Sequence, residues 1–163
     1  MLNPLRNKKI FIAGHRGMVG SALVKYFKNQ GVKKLILVSR KKLDLLNQDK
    51  VYKFIKNKKP DVIINCAGKV GGILANSKYP VEFLNINILI QLNLINAAYQ
   101  NKIQNFINLG SSCIYPKKAK QPIQEDYLLS SSLEKTNEAY ALAKIIGLKA
   151  CEYYNQQYGT SYL

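Results

Sequence analysis

The sequence predicts an α/β domain built on a doubly wound parallel sheet, and two observations carry that expectation. Short, continuous apolar runs alternate with longer stretches in which apolar residues recur at helical spacing. A spaced glycine triplet sits where the first run gives way to the first such stretch. Strand and helix in alternation leave little besides a parallel sheet covered on both faces, because crossovers between parallel strands are right-handed.

The elements follow in order. Ile10-Phe11-Ile12-Ala13 is a strand buried on both faces, ending in glycine. From Met18 to Gln30, Met18, Val19, Ala22, Leu23, Tyr26 and Phe27 form one stripe of an amphipathic helix that Gly31 ends. Leu35 to Val38 is a second buried strand. A short helix covers Val51 to Ile55, with Pro60 beyond its end, and Val62-Ile63-Ile64 is the third strand. A glycine-containing loop leads to Pro80, a long helix runs from about Val81 to Gln100, and Phe106 to Leu109 is the fourth strand. Ser111 to Thr136 reads as an ordered loop over the sheet edge. Thr136 or Asn137 can cap the last helix, which places Glu138 in its positive first turn and stops at Gly159. Thr160 to Leu163 falls where the alternation calls for another strand, so the expectation is one nucleotide-binding domain over 1–163, incomplete at its end and without a substrate domain.

The chain has 163 residues, one domain's worth, and a hydrophobic share of 47% that excludes wholesale disorder. No uninterrupted apolar run is long enough to cross a bilayer. The start, Met1 to Lys9, lacks the apolar stretch and cleavage site of a signal peptide, so a soluble cytoplasmic protein with no membrane partner is expected. Cys66, Cys113 and Cys151 are far apart with no Cys-x-x-Cys pair. That pattern is neither a disulfide framework nor a metal site, and it fits a reducing compartment. The net charge of +16 comes from lysines scattered along the chain rather than gathered into a nucleic-acid module. It is read as a solvated basic surface whose field also favours an anionic small ligand, not as a nucleic-acid site.

Gly14-His15-Arg16-Gly17-Met18-Val19-Gly20 joins the first strand to the first helix. Gly14 serves the tight turn, Gly17 the approach of backbone to a pyrophosphate, and Gly20 the close packing of helix on strand. The helix amino terminus offers free N–H groups and partial positive charge to phosphates. Where the second strand ends, NAD-binding folds carry an acid for the ribose 2′-hydroxyl; here Arg40 stands instead, with Arg16 able to converge on it. Two guanidiniums suit a 2′-phosphate, which favours NADP; the alternative is two solvated arginines. Asp44 either reaches the adenine or is a polar loop residue.

Tyr140-Ala141-Leu142-Ala143-Lys144 sets a phenol and an ammonium one helical turn apart on one face. Reducing a carbonyl requires a proton for its oxygen as hydride reaches carbon, and a neighbouring cation is expected to lower the phenol's pKa from about 10. Ser111, just past the fourth strand, can hydrogen-bond the same oxygen.

Together the glycine loop, Ser111, Tyr140 and Lys144 resemble the extended short-chain dehydrogenase/reductases. Gly110-Ser111-Ser112-Cys113-Ile114-Tyr115-Pro116, Ala13 to Gly20, Lys69-Val70-Gly71-Gly72-Ile73 and Thr136 to Tyr140 are similar to the GDP-L-fucose synthase branch, over essentially the whole chain. The resemblance implies an NADPH-dependent, two-stage reaction on a nucleotide sugar. GDP-4-keto-6-deoxy-D-mannose is epimerised at carbons 3 and 5, and the 4-ketone is then reduced to give GDP-L-fucose. It implies Tyr140 as proton donor, Lys144 as its partner, Ser111 on the keto oxygen and Cys113 as acid/base in epimerisation. It implies cofactor contacts along Gly14 to Gly20, then at Arg40, Asp44, Leu45, Leu109, Gly110, Ser111, Ser112 and Lys144. It also implies a homodimer through the two long helices. The family's histidine partner for the cysteine has no counterpart, since His15 is the only histidine and lies in the glycine loop. A chain inactive on its own is therefore expected. The rival readings are another extended reductase or epimerase of nucleotide sugars, and a non-catalytic NADP-binding module.

Overall fold

The computed structural model describes residues 5–163; Met1 to Pro4, part of the amino terminus read above, lie outside the described residues. Strands β1 (Lys9–Ala13), β2 (Lys34–Ile36), β3 (Val62–Asn65), β4 (Asn105–Asn108) and β5 (Ser161–Tyr162) form one sheet in the order β2-β1-β3-β4-β5. Every pairing is parallel, with Phe11 opposite Ile36 on one side and Ile63 on the other. Helices α1 (Met18–Asn29), α2 (Gln48–Lys58), α3 (Ile73–Lys78), α4 (Pro80–Gln100) and α5 (Glu138–Tyr158) connect them.

Side-chain alternation along β1 explains the continuous apolar run. Ile10 and Ile12 pack with Ile64 beneath Phe27 of α1. Phe11 and Ala13 face the other way, with Ile63 and Phe106, onto Val51 and Ile55 of α2 and onto Leu94, Ile95 and Ala98 of α4. Both faces of the strand are thus buried, which a period-two polar pattern would forbid. A third cluster, Ile114, Leu133, Ala141 and Ile145, fastens the long loop after β4 to α5.

The structure revises the sequence expectations in three places and meets them in a fourth. Strand β2 is Lys34–Ile36 rather than a buried Leu35 to Val38: its ladder with β1 ends at Ile36, its residues are exposed or half-buried, and the chain turns further on, where Lys42 and Leu43 N–H donate to Ser39 C=O. The loop before Pro80 contains α3, one and a half turns started by Gly72 and tied by Asn76, whose Nδ2 donates to Gly71 and Gly72 carbonyls. Neither Thr136 nor Asn137 caps α5 by its side chain; a 3₁₀ turn over Lys135–Asn137 precedes the helix, and Glu134 accepts from Thr136 N–H. Past Gly159 the chain does enter a fifth strand, where Leu163 and Phe106 continue the parallel ladder. Tyr162 is buried there, its hydroxyl donating to Ile103 C=O, and its ring stacks with Tyr154 beside the Tyr99–Tyr158 pair.

Helix α4 is long and apolar enough to cross a membrane by length and composition, yet half of the qualifying stretch is buried inside the fold. Its Asn87, Gln91 and Asn93 are buried and hydrogen-bonded within the domain, as core amides must be.

Candidate active site

In a parallel sheet, ligands collect at the carboxyl ends of the strands, in the crevice where the connections diverge. Here that point lies between β1 and β3, because the chain leaves β1 outward to β2 and returns to β3 on the opposite side. The glycine loop follows β1 directly. Gly14 has φ +76, and a Cβ there would stand 2.7 Å from the Cys66 and Ala67 backbone that follows β3. At Gly20 a Cβ would meet the Gly14 carbonyl oxygen at 2.3 Å. Both glycines are demanded by the protein's own packing. Gly17 is not: a Cβ would find nothing nearer than 3.4 Å. Its bare face lies at the amino end of α1, where the first turn has no side-chain cap and no acidic residue. An anion placed there meets unpaired N–H groups and no competing carboxylate, so the cradle fits a dinucleotide pyrophosphate.

Around the cradle, His15 has its pKa lowered by burial and by Arg16, which keeps the imidazole neutral. Arg16 and Arg40 are both exposed, and neither has a carboxylate partner among the described residues. Asp44 is committed locally, its Oδ1 accepting from Leu46 N–H at 3.1 Å, which favours its reading as a turn residue.

The second group converges from β4 and α5. Ser111 and Cys113 lie at a 3₁₀ turn over Ser112–Ile114 just past β4, and the Cys113 thiol donates to Ser111 Oγ at 3.2 Å. Ser111 also neighbours the Tyr140 hydroxyl, whose pKa it pulls down. One turn along α5, Lys144 is buried to 6% exposure; its Nζ lies 5.8 Å over the Tyr140 ring and donates to Leu109 C=O at 2.8 Å. Phe83 of α4 closes the cluster, edge-on to Tyr140 with centroids 6.3 Å apart.

The electrostatics differ from the sequence expectation. Burial, followed by the neighbouring Cys113 thiol, raises the Tyr140 pKa, and Ser111 offsets only part of this. Lys144 does not draw the phenol down. Its own pKa is lowered, chiefly by burial, with Cys113 and Cys66 pulling the other way. A buried ammonium over the ring face, spending a proton on a carbonyl, acts differently from a cation at the phenol oxygen. The arrangement holds a phenol that keeps its proton, ready to be given.

Sequence reasoning missed Cys66, close enough to Lys144 for the ammonium to pull its pKa down against the larger upward effect of burial. It also missed the amides beneath the cluster. No sequence period marks them, because each is an isolated polar residue in an apolar stretch.

A glycine cradle at the first crossover, facing a Ser, Tyr and Lys set beyond the fourth strand, defines a nucleotide-dependent α/β domain. The chain belongs to the NAD dependent epimerase/dehydratase family, whose model matches residues 10–163. It is 49% identical to the GDP-L-fucose synthase of Escherichia coli (strain K12) over 158 residues, 97% of this chain and 49% of that protein. Against GDP-L-fucose synthase 1 of Arabidopsis thaliana the identity is 50%, over 94% of this chain and 48% of that protein. Among solved structures, MlghC, the GDP-mannoheptose C4 reductase of Campylobacter jejuni with NADP bound, superposes with a TM-score of 0.95 at 38% identity. That likeness covers 99% of this chain and 51% of MlghC. The chain spans about half the length of the curated relatives it matches.

Proposed function

We propose that this chain binds NADP(H) and carries the reducing centre of a GDP-sugar epimerase/reductase that converts GDP-4-keto-6-deoxy-D-mannose to GDP-L-fucose. The observation that carries the proposal is the convergence of Ser111, Cys113, Tyr140 and Lys144 on one point beyond β4, at the strand edge that also holds the glycine cradle. The synthase relatives and the NADP bound by MlghC support it.

Bound NADPH supplies the hydride for the sugar's carbon 4. Tyr140 Oη gives its proton to the oxygen of that carbon, and the raised pKa keeps the proton available. Ser111 orients the same oxygen, and Lys144 reaches the nicotinamide ribose. Cys113, linked to Ser111, exchanges protons at the carbons beside the ketone, where carbonyl acidification brings a thiol into range. Cofactor phosphates lie along Gly14 to Gly20, with Arg16 and Arg40 toward a 2′-phosphate. Leu45, Leu109, Gly110 and Ser112 line the remaining cofactor path.

The domain spans 1–163, and alone it has little or no synthase activity. Exposed Val81 and Leu89 on α4, with Leu142, Ile146 and Tyr153 on α5, present an apolar stripe suited to a homodimer of four helices. A cytoplasmic setting accords with three unpaired thiols. A second reading, a C4 reductase of another GDP-sugar, is favoured by the likeness to MlghC. Titration with NADPH and NADH tests the cofactor that both readings share. Tighter NADPH binding that Arg40→Ala abolishes is expected, and equal affinities would remove the NADP reading. In a chain extended to its relatives' length, Tyr140→Phe should slow reduction by about 10²-fold or more with NADPH binding retained.

A further inference from the structure

A thread of amides, buried at Gln91 and Asn65 and half-buried at Asn108, links the elements on either side of Lys144. Gln91 of α4 is 1% exposed and engages both amide donors and its oxygen across three elements. Its Nε2 donates to Asn87 C=O on its own helix and to Ala143 C=O on α5, each at 2.9 Å. Its Oε1 accepts from Asn108 Nδ2 at 2.9 Å. Asn108 Oδ1 in turn accepts from Asn65 Nδ2 on β3, and Asn65 Oδ1 from Ala67 N–H in the loop that packs on Gly14.

Both ends of Lys144 are therefore fixed by this one thread. Ala143 is the residue before it, and Asn108 is the residue before Leu109, whose carbonyl receives the ammonium. Alternating donors and acceptors leave each amide one orientation, since any flip sets like groups face to face. Gly147, in mid-helix where glycine ordinarily weakens α5, makes room for the thread; a Cβ there would lie 2.1 Å from Gln91 Oε1 and 2.7 Å from Asn108 Nδ2.

We infer that Gln91, with Asn108 and Asn65, is a positioning device that holds the catalytic turn of α5 in register with the end of β4. Through Ala143 and Leu109 it places Lys144 and Tyr140 against the dinucleotide. The inference rests on the reading of Lys144 as a cofactor contact. An apolar core would hold α5 as firmly, but side chains meeting through dispersion alone slide without a directional cost, whereas these bonds fix the register.

The test uses this chain with NADPH as probe and follows two readouts, NADPH affinity and the pH titration of Lys144 by its ¹³Cε resonance. Gln91→Met keeps length and removes both donors. It is expected to weaken NADPH binding about tenfold, the scale of one lost hydrogen bond, and to move the Lys144 midpoint up toward the ordinary lysine value. Gln91→Glu, whose protonated carboxyl keeps one donor and the acceptor, should bind NADPH more tightly than Gln91→Met at low pH and lose that advantage as pH rises. A folded Gln91→Met with parental affinity and parental Lys144 titration overturns the inference. Where that variant does not fold, Asn108→Leu decides on the same two readouts. Failure of the parent chain itself to bind NADPH would instead remove the cofactor reading, leaving the Lys144 titration to judge the thread.

Discussion

On the proposed reading the chemistry turns on Tyr140, whose environment favours holding a proton over releasing one. In a reductase that is an advantage, since a donor must stay loaded until the alkoxide forms. The thiols divide by burial. Cys113 meets Ser111 at the site, while Cys151 is buried in the main core and burial pushes its thiol up to about 12. A group whose folded pKa exceeds its unfolded value loses stabilising effect as pH climbs between the two. Stability should therefore fall from pH 9.0 toward 12, and Cys151→Ala should flatten that decline in Tm at a neutral-pH cost of about 1 kcal/mol. The hydroxyls of buried Tyr162 and half-buried Tyr154, also raised, contribute in the same direction, so some of the slope will persist. At Gly20 the overlap is with backbone, which cannot swing aside. Gly20→Ala is expected to cost about 1–3 kcal/mol by denaturant melting and to abolish NADPH binding as the loop shifts.

At the scale of elements, the strands and long helices were legible because their apolar spacing is enforced by what they bury. Ile10 to Ala13 read as doubly buried and is so. Shorter pieces obey local hydrogen bonding instead, which leaves no periodic mark. Helix α3 is initiated by glycine and held by the Asn76 amide, and the start of α5 is organised by Glu134. Glu134 also pairs with Lys117 at 2.7 Å, but that pair is exposed and contributes little. Glu134→Ala should lower the urea midpoint, mostly through the lost cap, and unfolding at low and high salt would separate the two effects. The candidate site was legible where a motif carries it, in the glycine loop and in Tyr140 with Lys144. The amide thread was not, because Gln91, Asn108 and Asn65 become neighbours only once α4, β4 and β3 are packed.

Across the whole molecule, the sheet order places the elements of the candidate site at one edge. A net charge of +16 raises the local concentration of a dinucleotide carrying several negative charges. NADPH affinity should drop as salt rises from about 0.05 to 0.5 M, since the Debye length shrinks below the reach of scattered lysines; stopped-flow would assign the change to association. A salt-insensitive association rate would mean that contacts within the cradle alone govern capture.

The tyrosine stack at the far end of α5 gives this molecule an optical gauge. The chain has no tryptophan, so its near-ultraviolet dichroism belongs to its 11 tyrosines and 5 phenylalanines. Rings locked edge and face at Tyr99, Tyr154, Tyr158 and Tyr162 are the ones that give such a signal strength. Strand β5 is two residues long, and the Tyr162 side chain docks it as much as its ladder does. Fraying of that strand would therefore dim the aromatic band while the helical far-ultraviolet band stays whole, reporting on the sheet's last strand without a label.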